Sequence, residues 1–231
     1  MKFKPDAKLR QKLFAPSPHP AKAHLGMMQQ IIEMYTEPGD WILDPMAGAG
    51  STMIAALMGR NVVLVELEGY FVKLILASWK KMQTIGPMMG YEMGEAVIVG
   101  GDARSLPLDS SVDSVVLSPP YEASIKGENS DYTRRRIAEG KYKGLRPDVF
   151  TSPSNIAGHN YGDGYSSMDQ NIGNLKGDIY LLNMALVYSE YYRVLKSQGV
   201  MVLIVKGFTR QGQYVDLPQQ TIGCVESLGF K

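Results

Sequence analysis

The stretch Trp41-Ile42-Leu43-Asp44-Pro45-Met46-Ala47-Gly48-Ala49-Gly50-Ser51-Thr52 decides the fold. A short apolar run ends in an acid, and a glycine-rich turn leads from it into a helix-like segment. Glycine tolerates positive φ and carries no Cβ, so such a turn lets backbone approach a ligand closely. A phosphate loop is not expected, because that motif needs a Lys followed by Ser or Thr after its last glycine, whereas Ser51 follows Gly50 directly. A dinucleotide fingerprint is damaged too, since Met53 stands where its third glycine belongs. Taken alone, a tight structural turn explains this G-x-G equally well.

Downstream the sequence alternates short β-branched runs with helix-like segments, which predicts an α/β fold with a mostly parallel twisted sheet and helices on both faces. Strands are expected at 41–43, 61–67, 96–99, 112–117 and 200–206. A helix is expected at 25–35. Another is expected at 178–195, where Leu181, Ala185, Tyr188, Tyr192 and Leu195 step along one face and Gly199 ends the segment. With this register Glu66 lies at the carboxyl end of the second strand and Asp102 just beyond the third, both on the edge where open α/β sheets bind ligands. A carboxylate at the position of Glu66 can accept hydrogen bonds from both hydroxyls of a ribose. A glycine turn and two acids at three successive strand ends therefore point to a nucleoside-containing ligand.

The fourth strand runs straight into Ser118-Pro119-Pro120-Tyr121. Two prolines fix φ near −65° and remove two donors, so this turn presents acceptors and an aromatic ring in a rigid frame. The Ser118 hydroxyl and the Pro119 carbonyl can accept the hydrogens of an exocyclic amine while Tyr121 stacks on its base.

Around these motifs the chain is unremarkable in bulk: 231 residues, 45% hydrophobic, net charge +1. It is read as a single domain, 1–231. A lone cysteine, Cys224, excludes a disulfide framework and multi-cysteine zinc sites, and His19, His24 and His159 lack metal-ligand spacing, so no metal is expected. No apolar run approaches the length of a membrane helix, and nothing resembles a signal peptide, so the expected setting is cytoplasmic. Two stretches concentrate positive charge, residues 1–22 and residues 126–146, the latter with seven Lys or Arg against three acids. A connection at 86–95 rich in Met and Gly reads as packing filler. A much longer insertion, 122–176, reads as a substrate-binding lid. In it Arg134, Arg135, Arg136 and Lys141, interleaved with Tyr132 and Tyr142, suit a nucleic-acid contact.

The segments 44–52 and 118–121 resemble the S-adenosylmethionine-dependent DNA amino-methyltransferases that modify cytosine N4 or adenine N6, and Pro18-His19-Pro20-Ala21-Lys22 is similar to a His-Pro-Thr-type motif that precedes their cofactor loop. The resemblance spans about His19 to Phe208. It implies a Rossmann-like class I methyltransferase fold and S-adenosyl-L-methionine as cofactor. It further implies that Gly48 and Gly50 contact the methionine part, Glu66 the ribose and Asp102 the adenine, with His19, Asp44, Met46, Ser51, Thr52 and Ala103 completing the cofactor site. Ser118, Pro119, Pro120 and Tyr121 are the implied catalytic turn. Serine at its head is commoner in cytosine N4 enzymes, which favours that target. The sequence departs from the family in carrying Ala21 where Thr is usual, in stopping at Lys231 short of a terminal antiparallel strand pair, and in lacking a separate recognition domain.

Cytosine C5 chemistry would need a nucleophilic cysteine near the fourth strand, and Cys224 is far from it. The readings that remain are a DNA amino-methyltransferase, an RNA amino-methyltransferase using the same turn, and a non-enzymatic subunit that binds cofactor and nucleic acid. The expected partner is nucleic acid, DNA ahead of RNA, and a homodimer is a candidate assembly.

Overall fold

The computed structural model describes residues 3–17, 19, 22–108, 111–121, 171–175, 177–210 and 212–231. The expected nucleic-acid contacts Tyr132, Arg134, Arg135, Arg136, Lys141 and Tyr142 lie outside the described residues.

Five parallel strands form the central sheet: β1 (Trp41–Asp44), β2 (Asn61–Glu66), β3 (Ala96–Gly100), β4 (Val112–Leu117) and β5 (Leu195–Leu203), in the order β3-β2-β1-β4-β5. From β1 the chain winds outward to β3, then crosses back to β4 and β5, so β1 and β4 flank the switch point of a Rossmann-like sheet. Successive residues send their side chains to opposite faces. Ile42, Val62, Leu64 and Val116 enter one core, with Leu25, Met28 and Ile32 of α2 (Leu25–Tyr35) and Ile75 and Met82 of α3 (Gly69–Ile85). Leu43, Val63, Val65, Val115 and Leu117 enter the other, beneath α4 (Gly177–Val194) and α5 (Leu217–Ser227). Both faces are covered, which is why β2 and β4 are nearly all apolar.

Several expectations shift. The α4 stripe is one residue out: Tyr180, Met184, Val187, Tyr188, Tyr191 and Val194 are buried, while Leu181 is 36% and Tyr192 54% exposed. This helix is apolar around most of its circumference, so periodicity alone does not select its inner face. The fifth strand starts at Leu195 rather than at residue 200, because Leu195 already pairs with Val112 before the register jumps to Val200 opposite Ser114. Gly199 sits in that irregularity, where a Cβ would lie 2.9 Å from the Lys196 carbonyl oxygen and 3.0 Å from that of Asp113. The segment after the glycine turn is a 3₁₀ helix (Ser51–Met58). Elements not anticipated include α1 (Ala7–Leu13), a 3₁₀ turn (Ile172–Asn174) and an antiparallel hairpin of β6 (Phe208–Arg210) and β7 (Gln213–Val215). The connection at 86–95 does pack, through Met88, Tyr91 and Met93, although Met89 is fully exposed.

Candidate active site at the carboxyl edge of the sheet

Because the strands are parallel, their carboxyl ends share one edge, and a cleft of about 610 Å³ opens there. His19, Asp44, Met46, Gly48, Ser51, Thr52, Glu66, Asp102, Ala103 and all four residues of Ser118-Pro119-Pro120-Tyr121 line it. Gly50 does not line it; it packs on Ile75 at φ +73° and fixes the turn from behind.

The glycine loop is built from inside. Gly48 holds φ +53°, and a Cβ there would lie 2.7 Å from His19 Nε2, so only glycine permits the buried imidazole to rest on the loop. That ring also meets Phe71 edge-on at 4.9 Å. The Gly48 amide donates to Glu66 Oε2 at 2.7 Å and the Glu68 amide to Glu66 Oε1 at 2.8 Å, which locks the strand-end carboxylate. Asp44 accepts from the Thr52 hydroxyl at 2.5 Å and the Met46 amide at 3.2 Å. Burial disfavours the charged forms, raising Asp44 to about 6 and Glu66 to about 7 against these hydrogen bonds. Arg10 of α1 reaches the loop from outside, donating to the Ser51 hydroxyl at 3.1 Å and to the Ala23 carbonyl at 2.5 Å.

Asp102 is differently placed. The Arg104 guanidinium grips both its oxygens, at 3.0 Å from Nε and 2.6 Å from a terminal nitrogen, and the Arg104 amide adds a third bond. Burial pushes this carboxyl up, but the Arg104 bonds and charge outweigh it and hold it below its ordinary range.

At the fourth strand end, the exposed Ser118 donates its hydroxyl hydrogen to the Ile204 carbonyl at 3.1 Å, which leaves its oxygen as an acceptor. The buried Tyr180 hydroxyl donates to the Pro120 carbonyl at 2.8 Å and clamps the turn onto α4. The half-buried Tyr121 lies 6.0 Å from Phe208, and its hydroxyl bonds the Lys206 backbone.

Sequence reasoning missed Lys22, Glu68, Asn171, Ile172, Ile204 and Lys206, which also line the cleft. Glu68 had a signal, since residues two apart in an extended segment share a face. Asn171 had none: it belongs to the expected lid, yet it is buried and donates to Glu68 Oε1 at 3.0 Å. Among the described residues no group of three or more His, Cys, Asp or Glu is arranged to hold a metal ion. None of the described helices is long and apolar enough to cross a membrane.

Residues 2–77 match the N6/N4 methyltransferase family model, described as DNA methylase. A tRNA (guanine(10)-N2)-dimethyltransferase of Methanothermobacter thermautotrophicus is 33% identical over 111 residues, covering 46% of this chain and 30% of that protein. The type II methyltransferase M.MthZI of the same species is 51% identical over 47 residues, 20% of this chain and 13% of that one. The type II methyltransferase M2.MboI of Moraxella bovis is 35% identical over 80 residues, 34% and 28% of the two chains. Each match thus spans less than a third of the relative's own length. The family match runs through His19, the glycine loop and Glu66, so over this part the chain is similar to the N6/N4 amino-methyltransferases.

Proposed function

We propose that the chain catalyses S-adenosylmethionine-dependent methyl transfer to an exocyclic amine of a nucleic-acid base, with cytosine N4 in DNA as the target. One observation carries the reading: a single cleft joins the glycine loop and its carboxylates to a proline-rigid turn with a hydroxyl oxygen at its head.

The chemistry of the lining fits the cofactor. Asp44 and Glu66 accept from a hydroxyl and backbone amides, all neutral donors, and both resist ionisation. A ligand that brings positive charge and hydroxyl donors complements them, and S-adenosylmethionine has an ammonium, a sulfonium and a ribose. The family resemblance assigns Glu66 to the ribose, Asp102 to the adenine and the loop to the methionine part. When bound, the cofactor supplies a methyl group on a cationic sulfur, already a good leaving group. The protein therefore needs to align and dehydrate the amine rather than to form a covalent intermediate.

Ser118 does the aligning. Its hydrogen is committed to Ile204, so its lone pairs can accept an amine hydrogen. A neutral hydroxyl is a weak base, so the amine's proton leaves to solvent after transfer. Tyr121 offers a ring for stacking. The same reading implies a cytoplasmic setting, where nucleic acid and cofactor meet.

RNA is the second reading, supported by the relative whose name gives tRNA guanine N2, also an exocyclic amine, as its target. Incubation with methyl-labelled cofactor and separate DNA and RNA pools, followed by nucleoside mass spectrometry, tests both. N4-methylcytosine in the DNA arm is expected. N6-methyladenine or 5-methylcytosine as the main product overturns the target assignment. Label confined to RNA selects the second reading, and label in neither pool overturns methyl transfer altogether.

A further inference from the structure

Beyond the cleft, the β6–β7 hairpin has no part in the sheet and none in the cofactor site, yet it is packed directly against the base-side turn. Phe208 opens β6 and lies 6.0 Å from the Tyr121 ring. Lys206, two residues earlier, bonds the Tyr121 hydroxyl through its backbone and carries its ammonium 6.0 Å from the same ring, lining the cleft mouth. Its side chain is exposed and has no carboxylate partner among the described residues. Thr209 pairs with Tyr214 across the hairpin, so the two share a face, opposite the core-packed Phe208. Tyr214 is 69% exposed, and its hydroxyl comes so close to Gly207 that a Cβ there would overlap it. An exposed cation that lines the cleft and an exposed aromatic ring packed on Gly207 thus lie within one short run of chain. The run 206–215 contains Lys206 and Arg210 and no acid.

We propose that this hairpin grips the DNA strand beside the target base, Lys206 meeting a flanking phosphate and Tyr214 stacking on a neighbouring base. The proposal rests on the reading of the cleft as a methyltransferase site. A strand whose base is seated at Ser118 passes close to Tyr121, and the hairpin packs against that ring through Phe208. Positive charge there attracts a phosphodiester backbone, and an aromatic ring stacks on any base irrespective of sequence.

The test measures affinity for a short single-stranded DNA against salt concentration, with the same sequence in RNA as a second arm and cofactor affinity by calorimetry as a control. Lys206→Ala should flatten the slope of log affinity against log salt by about 1, and Lys206→Arg should restore it. Tyr214→Ala should weaken binding about fivefold or more at every salt concentration. Neither should change cofactor affinity. If the parent binds and methylates DNA and both variants match it in slope and affinity, the hairpin proposal falls and the methyltransferase reading stands. If the variants lose affinity for RNA alone, the assignment to DNA falls. A parent that binds cofactor but no nucleic acid and transfers no methyl group overturns both readings.

Discussion

The glycine loop and the Ser118-Pro119-Pro120-Tyr121 turn both cap strand ends on one edge of the sheet, but they are stiffened in opposite ways. In the loop rigidity comes from burial: His19 rests on Gly48, the Gly48 amide is tied to Glu66, and Thr52 is tied to Asp44. In the turn it comes first from covalent geometry, two proline rings, with bonds from Ser118 to Ile204, from Tyr180 to Pro120 and between Tyr121 and the Lys206 backbone, and the head residue stays exposed. Under the proposed function the contrast matches the two ligands. A cofactor that is enclosed needs a finished pocket, whereas a base delivered on a long strand needs an open frame that keeps its shape.

The sharpest way to break this contrast is Gly48→Ala. A non-glycine residue at φ +53° costs about 1–2 kcal/mol, and displacing the His19 ring adds about 1–3 kcal/mol of overpacking. Thermal melting should show a loss of that combined size, and calorimetry a large drop in cofactor affinity. An unaltered affinity would mean that the loop is not the cofactor's seat.

On the other side, Tyr180→Phe removes the clamp and leaves the Pro120 carbonyl without its partner. The expected cost is about 1–3 kcal/mol of stability, with methyl transfer reduced and cofactor affinity intact. Should cofactor binding fall as well, the two regions are coupled rather than separately stiffened.

The buried carboxylates sharpen the comparison through pH. Glu66 is raised to about 7 and Asp44 to about 6, both by burial. Groups raised in the fold stabilise it fully at acid pH, below their unfolded values, and that contribution is lost as pH rises through about 6 to 7. A cationic ligand pulls the other way by favouring the ionised carboxylates. Cofactor affinity should therefore increase with pH up to about 7 and level off above it. Calorimetry across this range should detect proton release on binding below pH 7, and Glu66→Gln should flatten the dependence.

The smallest effect is expected at the Asp102–Arg104 pair, whose side chains are 30% and 22% exposed. Its carboxyl is lowered, so its stabilisation is present above the ordinary aspartate range and fades only as pH falls below it, opposite in sign to Glu66. Arg104→Ala should cost about 0.5–1 kcal/mol at neutral pH, read as a small fall in melting temperature that vanishes in acid.

Much of the architecture was legible because both-faces burial makes central strands read as apolar runs. β4 falls at its expected bounds, and β1, β2 and β3 fall within a residue of theirs. The strand-end acids followed from that register. The inner face of α4 was not legible, since Leu181 and Leu182 are as apolar as the tyrosines that displaced them, and the choice lies in how six of its side chains fit the second core. Nor was the hairpin, whose strands are three residues each, too short for a periodic pattern.

The local sequence by itself determined the turns. Glycine and proline restrict or release φ residue by residue, so a glycine loop after β1 and a rigid proline turn after β4 are properties of those residues wherever the chain places them. Tertiary structure alone decided what those turns meet. That His19 covers Gly48, that Arg104 reaches on to Asn183, that Ser118 gives its hydrogen to Ile204 and that Asn171 returns to Glu68 are pairings across the fold. Distance in space selects among those partners, and separation along the chain carries no record of it.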